Sequence, residues 1–399
     1  LYALGTLVSS PILLLGLLRT GKWRTDWQGR FGRTEPLPED PRSTLLIHGV
    51  SVGEINATRE LVAKLTSPES PPVRVVISAT TNTGFARAQE LYGDRIPVVR
   101  FPFDFSWMVT RFFDAVGPDA VALMELEVWP NLAQVCRIRG IPLGVINGRL
   151  SEASFKHYRW ARPVVRSMFR ALSIVGAQTE DYAERFHALG TPRDRLTITD
   201  TMKWDTAKLA DEVEGAEALR LAMGIDPNRP LVVAGSTGPG EEEILLAGKP
   251  EGVQLMLVPR KPERFDEVAR LAPGAVRRSR WPDGSRAEGV ADAGEIFLLD
   301  TMGELTKAFA LADVAIVGRS FVPLGGSDPI EPIALGKATI IGPHHDNFQD
   351  VVSAFAEEGG IRITSRPMED AQALLDDHEA RERMGEAGRG VIRRRKGAT

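Results

Sequence analysis

The stretch TLLIHGVSVGEINATRELVAKL, residues 44–65, sets the pattern that the rest of the chain repeats. It opens on a short apolar run at 44–48 without polar alternation, which is typical of a strand buried on both faces of a parallel sheet. A turn of small residues follows, and 54–65 then has the apolar spacing of a helix. One strand, one turn and one helix make the repeating unit of a doubly wound α/β domain.

The same alternation continues through the first half of the chain. The predicted strands lie at 44–48, 73–79, 97–101, 120–126, 142–147, 173–177 and 196–199. The predicted helices lie at 54–65, 82–92, 107–116, 131–139, 154–171 and 180–189. We therefore expect an N-terminal Rossmann-like domain at 43–205.

A second unit of the same kind begins near Pro230. Its predicted strands lie at 231–235, 253–258, 295–299, 314–318 and 338–341. Its predicted helices lie at 240–247, 263–271, 303–311, 329–335 and 347–358, with a last helical region at 369–395. We expect a C-terminal Rossmann-like domain at 230–399. The charged, strand-free stretch 206–229 is predicted to be a linker.

Two Rossmann-like domains that face one cleft form the GT-B architecture of glycosyltransferases, and this is the α/β fold that we expect. A length of 399 residues agrees with two domains. Periplasmic binding proteins and some epimerases have related plans, so the architecture alone does not identify a function.

The composition argues against several classes of protein. Apolar residues make up 43% and charged residues 26%, which are values of a globular protein. Cys136 is the single cysteine, so an internal disulfide and a Cys-rich zinc site are excluded. The six His residues are scattered, and neither HExxH nor D-x-D occurs. We therefore expect neither a metal ion nor a cofactor in the mechanism.

The charge of the chain is unevenly distributed. Residues 1–205 hold 25 Lys+Arg and 21 Asp+Glu, whereas the remainder holds 24 and 32. The basic excess concentrates in 137–170, where Glu152 is the only acidic residue. This stretch is either a solvated helix face or a surface for an anionic acceptor or phospholipid. Nothing in the sequence suggests a nucleic-acid partner.

The N-terminal segment 1–18, LYALGTLVSSPILLLGLL, carries no charge. A membrane-spanning helix needs about 20 apolar residues, so this length is borderline. Basic residues and the aromatics Trp23 and Trp27 follow it, as expected on the cytoplasmic side and at the membrane interface. We predict a membrane anchor and juxtamembrane segment at 1–33, with a buried first helix as the alternative.

The first candidate site is the segment Gly49-Val50-Ser51-Val52-Gly53-Glu54, between a strand and a helix. It matches the G-x-S-x-G nucleophile elbow, so a serine hydrolase is one alternative. However, it follows the first strand, where a hydrolase would need earlier strands. In the other interpretation the small residues admit a substrate, and Glu54 is a general base or simply complements the helix dipole.

Further candidates follow other strands. Glu127, in the segment ELEVWPN at 125–131, is predicted either to bind an acceptor or to make a structural hydrogen bond. Ser236 and Thr237 open a glycine-rich loop that suits a phosphate. Arg260 and Lys261 add cations at another strand end.

The remaining candidates lie at strand ends or helix starts of the second unit. Glu331 could accept hydrogen bonds from ribose hydroxyls. Each motif alone has an ordinary explanation in capping or turns, but the ordered set points to a nucleotide site. The donor-site residues predicted in addition to those above are Gly303, Glu304, Ser320 and Asn347.

This ordered set resembles the 3-deoxy-D-manno-octulosonic acid (Kdo) transferase family of lipopolysaccharide synthesis. The resemblance covers nearly the whole chain. It rests on HGVSVGE (48–54), PFD (102–104), ELEVWPN (125–131), NGRLSEASFKHY (147–158), AGST (234–237), GEEE (240–243), PRKPERF (259–265), DTMGEL (300–305), IEP (330–332), GP (342–343) and NF (347–348).

The resemblance implies a metal-independent, inverting GT-B enzyme at the cytoplasmic face of the inner membrane. Such an enzyme moves Kdo from CMP-Kdo to a lipid A precursor, lipid IVA, next to inner-membrane phospholipid. The resemblance assigns acceptor binding to the domain at 43–205 and CMP-sugar binding to the domain at 230–399. The family's general base corresponds to Glu54, and the acceptor side is assigned to Ser51, Gly53, Glu127 and Arg149. A GT-B enzyme with another nucleotide-sugar donor, or an inactive lipid-binding relative, is the second alternative.

The chain also departs from the family's usual residues around the predicted donor site. The family usually has His at the position of Gly238 and at that of Lys261. It usually has Gly at the position of Arg319, and His-Asn at Ser327-Asp328. These departures are the sequence feature that bears most directly on which donor is bound.

Overall fold

The computed structural model of the protein describes residues 26–280 and 295–399. The chain divides into two compact units, one that runs to Met202 and includes Gly397–Thr399, and one at Lys203–Lys396. The predicted anchor falls largely on residues outside the described ranges. Within those ranges, no helix is both long enough and apolar enough to cross a membrane.

Unit 1 is built on a seven-stranded parallel sheet with the order β3-β2-β1-β4-β5-β6-β7. Its strands are β1 (Ser43–Gly49), β2 (Val73–Ala79), β3 (Val98–Arg100), β4 (Ala120–Met124), β5 (Leu143–Gly148), β6 (Ile174–Ala177) and β7 (Leu196–Ile198). Its helices are α1 (Trp27–Arg30), α2 (Val52–Ala57), α3 (Arg59–Leu65), α4 (Asn82–Tyr92), α5 (Ser106–Val116), α6 (Pro130–Arg139), α7 (Glu152–Trp160), α8 (Arg162–Arg170) and α9 (Glu180–Leu189).

Unit 2 contains a second seven-stranded parallel sheet with the order β10-β11-β9-β8-β12-β13-β14. Its strands are β8 (Leu231–Thr237), β9 (Gln254–Pro259), β10 (Val276–Arg277), β11 (Ile296–Leu298), β12 (Val314–Val317), β13 (Ala338–Ile341) and β14 (Arg362–Ile363). Its helices are α10 (Ala216–Met223), α11 (Glu241–Ala247), α12 (Phe265–Leu271), α13 (Leu305–Leu311), α14 (Ile330–Ala334), α15 (Gln349–Glu357), α16 (Pro367–Asp376) and α17 (His378–Arg395).

Both sheets are covered on both faces, as the unbroken apolar runs predict. In β1, Leu46 packs into the core on one face, and the next residue, Ile47, packs into the core on the other. Val232 and Val233 of β8 divide in the same way. Successive residues of a strand point to opposite faces, so only a sheet with helices on both sides buries both.

Two predicted helices are each divided into two, for reasons that side chains supply. The stretch 54–65 breaks at Thr58, whose hydroxyl donates to the Ile55 carbonyl at 2.7 Å and so competes with the helical backbone. The stretch 154–171 breaks before Pro163, which has no N–H to donate and lies in the first turn of α8. The predicted strand 120–126 ends at Met124, because Glu125 adopts a left-handed φ of 54°.

Each sheet has one point where successive loops leave in opposite directions. In unit 1 this switch point lies between β1 and β4, and in unit 2 it lies between β8 and β12. Open parallel sheets bind ligands beyond the carboxyl ends of the strands at such points. The candidate segments that begin at Gly49 and at Ser236 therefore lie at the carboxyl ends of β1 and β8, next to these switch points.

Candidate functional site

Glu54 lies in the first turn of α2, directly after β1 at the switch point of unit 1. Ser51 caps the helix, and Glu54 completes a capping box with it. The Glu54 carboxylate accepts hydrogen bonds from the Val50 N–H at 2.8 Å, the Ser51 N–H at 3.2 Å and the Ser51 hydroxyl at 2.7 Å. The side chain is 9% exposed, so its carboxylate is held in one orientation.

Gly53 leaves the loop open on its outer side. A Cβ atom built on this residue would meet only the Ser51 hydroxyl, at 3.8 Å. The neighbouring Gly49 is closed by contrast, since its Cβ would lie 3.2 Å from Ile55 Cδ1. A substrate can therefore approach the backbone at Gly53, next to the Glu54 carboxylate.

The geometry of Ser51 does not fit a hydrolase nucleophile. A nucleophile elbow holds its serine on a strained turn, whereas Ser51 has a relaxed extended backbone with φ −110° and ψ 166°. His48 cannot serve Ser51 as a base, because its ring is buried and bonds to Ser78 Oγ at 2.9 Å and Thr80 Oγ1 at 3.3 Å. Burial lowers the pKa of His48 to about 3. Ser51 is therefore a helix cap.

Glu127 follows β4, the strand on the other side of the same switch point. Its half-buried carboxylate accepts a hydrogen bond from Trp129 Nε1 at 3.0 Å. Burial and the nearby charge of Glu54 raise the pKa of Glu127 to about 7, against the effect of the Trp129 bond. The structure thus brings two carboxylates close together at the switch point of unit 1.

The segment after Glu127 is fixed by a carboxylate from a distant loop. Asp104 accepts the N–H groups of Asn131 at 3.0 Å and Leu132 at 2.8 Å, and so caps α6 from the 102–104 turn. Arg149, the other predicted acceptor residue, follows the end of β5 and is half-buried.

A basic cavity of about 810 Å³ lies between α6 and α8. Pro130, at the start of α6, lies at its wall, so the cavity begins three residues after Glu127 along the chain. No acidic residue lines it. Its lining residues are Pro130, Ala133, Gln134, Arg137, Ser167, Met168, Arg170, Ala171 and Arg195. Three guanidinium groups without a lining carboxylate make the cavity suitable for an anion.

In unit 2, the buried carboxylate of Glu241 joins the two loops of the switch point. It accepts the N–H groups of Gly238 at 2.8 Å and Arg319 at 2.6 Å on one oxygen. It accepts those of Ser320 at 2.8 Å and Phe321 at 2.9 Å on the other. The residue is fully buried. The loop after β8 and the loop after β12 are therefore held as one rigid surface.

Ser236 and Thr237, predicted to contact a phosphate, lie in different settings. Ser236 is half-buried and adopts a left-handed φ of 57° at the start of the loop. Thr237 is buried, and its hydroxyl donates to Glu242 Oε1 at 2.7 Å. Glu242 in turn pairs with Arg264 at 2.6 Å. The Thr237 hydroxyl therefore stabilises the loop through its hydrogen bond to Glu242.

Arg260 and Glu331 come from opposite sides of the unit 2 switch point, and both interact electrostatically with Asp328. Arg260 follows β9 and donates to Ser327 Oγ at 3.4 Å, next to Asp328. Glu331 opens α14 and accepts a hydrogen bond from Thr306 Oγ1. Burial, followed by the charge of Asp328, raises the pKa of Glu331. Lys261 is exposed on the turn beyond Arg260.

Gly303 and Glu304 form a second group beside β10 and β11. Gly303 is exposed with a left-handed φ of 83°, and a Cβ there would have no neighbour within 4 Å. Glu304 accepts from Thr301 Oγ1 at 2.6 Å and pairs with Arg278 at 3.1 Å. Although burial opposes it, these hydrogen bonds lower the pKa of Glu304.

The last two predicted residues hold the loops together. The buried Ser320 hydroxyl donates to the Val317 carbonyl at 2.6 Å and accepts the Gly342 N–H at 2.8 Å. Asn347 is exposed, and its N–H donates to the Gly325 carbonyl at 3.0 Å. Ser320 therefore links the loops after β12 and β13, and Asn347 remains accessible.

Sequence reasoning did not assign a role to Glu241. Its signal was its place in GEEE, the first of three acids after a glycine-rich loop, where a carboxylate can accept backbone N–H groups. Across residues 26–280 and 295–399, no group of three or more His, Cys, Asp and Glu side chains could hold a metal ion.

Comparison with known proteins gives sequence relatives over the whole chain. The family model for 3-deoxy-D-manno-octulosonic-acid transferase (kdotransferase) matches residues 25–206. A 3-deoxy-D-manno-octulosonic acid transferase of Haemophilus influenzae is 32% identical, over 98% of this chain and 94% of that protein.

Comparison with solved structures supports the fold. Anabaena HepE in complex with UDP has a TM-score of 0.60 at 16% identity, covering 90% of this chain and 96% of that one. Acinetobacter baumannii MurG has a TM-score of 0.53 at 15% identity, covering 88% and 95%. Together with the two parallel sheets, this similarity confirms the GT-B fold class.

Proposed function

The chain belongs to the 3-deoxy-D-manno-octulosonic acid (Kdo) transferase family of glycosyltransferases, and we propose that it transfers Kdo from CMP-Kdo to a lipid A precursor such as lipid IVA. The observation that carries this proposal is the buried Glu54 carboxylate, fixed beside the open backbone of Gly53 at a switch point. The proposed reaction belongs to lipopolysaccharide biosynthesis and inverts the configuration at the anomeric carbon.

In the proposed reaction, Glu54 removes the proton from the acceptor hydroxyl. Its Oε1 already accepts two hydrogen bonds from Ser51, whereas Oε2 accepts one, from Val50. Oε2 therefore has a lone pair left to take the proton. The acceptor oxygen forms a bond to the anomeric carbon of Kdo as the bond from that carbon to the phosphate oxygen breaks, and CMP leaves.

Unit 2 supplies the donor site in this proposal. Glu331 accepts hydrogen bonds from the ribose hydroxyls, and Arg260 balances the negative charge that develops on the phosphate as CMP leaves. Glu241 keeps the loops after β8 and β12 in place, so the site is formed before the donor arrives. No metal ion is part of the proposed mechanism, because the cations come from arginine side chains.

The basic cavity between α6 and α8 supports an anionic lipid as the acceptor. Arg137, Arg170 and Arg195 line it, and Trp129 is partly exposed beside its Pro130 end. Exposed tryptophans and arginines suit a membrane interface with acidic headgroups. We therefore place the enzyme at the cytoplasmic face of the inner membrane, in contact with phospholipid.

The decisive experiment incubates the full chain with CMP-Kdo and lipid IVA. We expect release of CMP and a lipid whose mass increases by one or more Kdo residues. CMP-Kdo hydrolysis without a heavier lipid would reject the acceptor. Transfer from another nucleotide sugar, with none from CMP-Kdo, would reject the donor and favour the alternative GT-B activity.

A further inference from the structure

Arg319 has a backbone conformation that an arginine rarely adopts. It follows β12 at the switch point of unit 2, with a left-handed φ of 60°. Its N–H donates to Glu241 at 2.6 Å, and its carbonyl accepts the Gly326 N–H at 2.7 Å. Glycine would adopt this conformation without strain. The backbone thus gives no reason for a long cationic side chain here, and strain of this kind persists mostly at functional sites.

The Arg319 side chain crosses the space above Gly238. A Cβ atom at Gly238 would lie 3.2 Å from Arg319 Cγ and 2.5 Å from Leu324 Cδ1. The Arg319 Nη2 donates to the Leu324 carbonyl at 2.9 Å, whereas its Nε is shut off from solvent without a partner. The side chain is therefore held in the glycine-rich loop by packing and one hydrogen bond.

A second guanidinium, that of Arg260, lies nearby: it donates to Ser327 Oγ at 3.4 Å, and the preceding residue, Gly326, is the one whose N–H bonds to the Arg319 carbonyl. Although the Arg260 residue as a whole remains accessible, partial burial of its guanidinium and then the charge of Arg319 lower its pKa. The charge of Asp328 opposes this shift, but the Asp328 carboxylate accepts the Ile330 N–H and makes no ion pair with Arg260. Within the described ranges, neither the Arg260 nor the Arg319 guanidinium forms an ion pair with a carboxylate; the Arg319 contact with Glu241 is made by its backbone N–H.

We propose that Arg319 is a donor-binding residue, which joins Arg260 in holding the phosphate of the CMP donor. The proposal rests on the proposed function. Two close guanidinium groups repel each other until an anion lies against both, and arginine matches the geometry of phosphate oxygens. Glu241 fixes the position of Arg319 by holding its backbone, while Gly238 leaves the space that the side chain crosses.

Calorimetric titration of the full chain with CMP, CMP-Kdo and cytidine tests this proposal. In Arg319→Gln, we expect affinity for CMP and CMP-Kdo to fall about 10- to 100-fold, and affinity for cytidine, which has no phosphate, to stay unchanged. The matched control is Arg366→Gln, an exposed arginine of unit 2 paired with Glu369, which should bind all three as the wild type does.

The variant Arg319→Gly separates binding from folding. Because it relieves the left-handed strain, we expect its melting temperature without ligand to be at least that of the wild type, while CMP binding is weakened as in Arg319→Gln. A purely structural role would lower the melting temperature and leave CMP affinity unchanged in the folded variant. That result, or unchanged CMP affinity in both variants, overturns the proposal. A wild type that binds neither CMP nor CMP-Kdo overturns the proposed function along with it.

Discussion

Glu54 combines an observed structural role with a proposed catalytic one. Its carboxylate caps the backbone of its own loop through Val50 and Ser51, and in the proposed reaction it takes a proton through Oε2. Rotation of the carboxylate would break these hydrogen bonds, so the cap also aims the base. The same contacts explain why a G-x-S-x-G segment occurs here without a nucleophilic serine.

The variant Glu54→Gln should keep CMP-Kdo binding and lose turnover. The amide oxygen can still accept the two hydrogen bonds from Ser51, whereas the amide nitrogen can neither take a proton nor accept the Val50 N–H. We expect kcat to fall by at least ~10²-fold, the scale of general-base loss. The control is Glu69→Gln. This exposed glutamate precedes β2 and so lies near the amino ends of the strands, away from the carboxyl ends where Glu54 lies. Full turnover in Glu54→Gln would exclude Glu54 as the base.

Glu127 should make the stability of the protein depend on pH. Its pKa of about 7 lies above the ordinary 4.5, so the folded state binds this proton more tightly than the unfolded state does. Its contribution is therefore most favourable below about pH 4.5 and is lost as the pH rises through 7. The variant Glu127→Gln cannot titrate and can still accept from Trp129.

We thus expect the melting temperature of Glu127→Gln, relative to the wild type, to rise between pH 5 and pH 8. The corresponding gain in the free energy of unfolding should be on the order of 1 kcal/mol at pH 8, since solvent screens a half-buried group. Thermal unfolding of both proteins across this range, with Glu69→Gln as the control, measures it. A difference that does not change with pH would mean that Glu127 has an ordinary pKa.

At the scale of elements, short loops carry most of the candidate site, and buried carboxylates hold them. Asp104 caps α6 from a loop 27 residues away in sequence, and Glu241 joins the loops after β8 and β12. Backbone N–H groups at helix starts and in tight loops lack partners of their own. A buried carboxylate that accepts several of them fixes the loops more firmly than the short helices could.

The variant Glu241→Gln should damage the donor site and the stability of unit 2 together. Its amide NH₂ would face backbone N–H groups that now donate to a carboxylate oxygen. Two N–H groups lose their acceptor at about 1–3 kcal/mol each, so we expect a loss of roughly 2–6 kcal/mol. CMP binding should weaken as the loops separate.

The matched control is Glu243→Gln, two residues further along α11 and exposed. Denaturant unfolding and calorimetry with CMP measure both effects. Equal stability of the two variants would show that the two N–H groups that face the amide nitrogen find other partners.

At the scale of the whole molecule, each unit has its own sheet, its own cores and its own switch point. The unit 1 switch point carries two carboxylates, and the unit 2 switch point carries two arginines. The division matches the proposed chemistry, since proton removal needs a base and phosphate departure needs cations.

In the proposed mechanism, arginine side chains balance the negative charge of the donor phosphate. We therefore expect transfer to persist in EDTA. The assay with CMP-Kdo and lipid IVA should give the same initial rate with and without the chelator. The untreated protein in the same buffer is the control. Loss of activity in EDTA that added Mg²⁺ restores would instead require a metal at the donor phosphate.

The two-residue strands β10 and β14 were not predicted, and α10 lies in the stretch predicted to be a linker. The sequence by itself determined the order of the other strands and of most helices, and it predicted a site at the strand ends. This succeeded because periodicity and turn chemistry are local, and because parallel sheets bind ligands at fixed places in their topology. Thus the run 44–48 was sufficient to predict β1. The segment that contains Glu54 was predicted to be a site, and the structure places it at the end of that strand. Helix ends were less well predicted, since Thr58 ends a helix through its side chain.

Only the tertiary structure decided which of the predicted site residues use their side chains to hold the loops and which remain accessible. From the sequence alone, Thr237 and Ser320 cannot be distinguished from exposed residues that contact a phosphate. In the structure, however, their hydroxyls donate to Glu242 and to the Val317 carbonyl. Glu241 joins residues about 80 positions apart. Arg260 and Arg319 approach each other only because β9 and β12 flank β8 in the sheet. Contacts between residues so far apart in sequence are set by the order of the strands in the sheet, and no local pattern of residues encodes them.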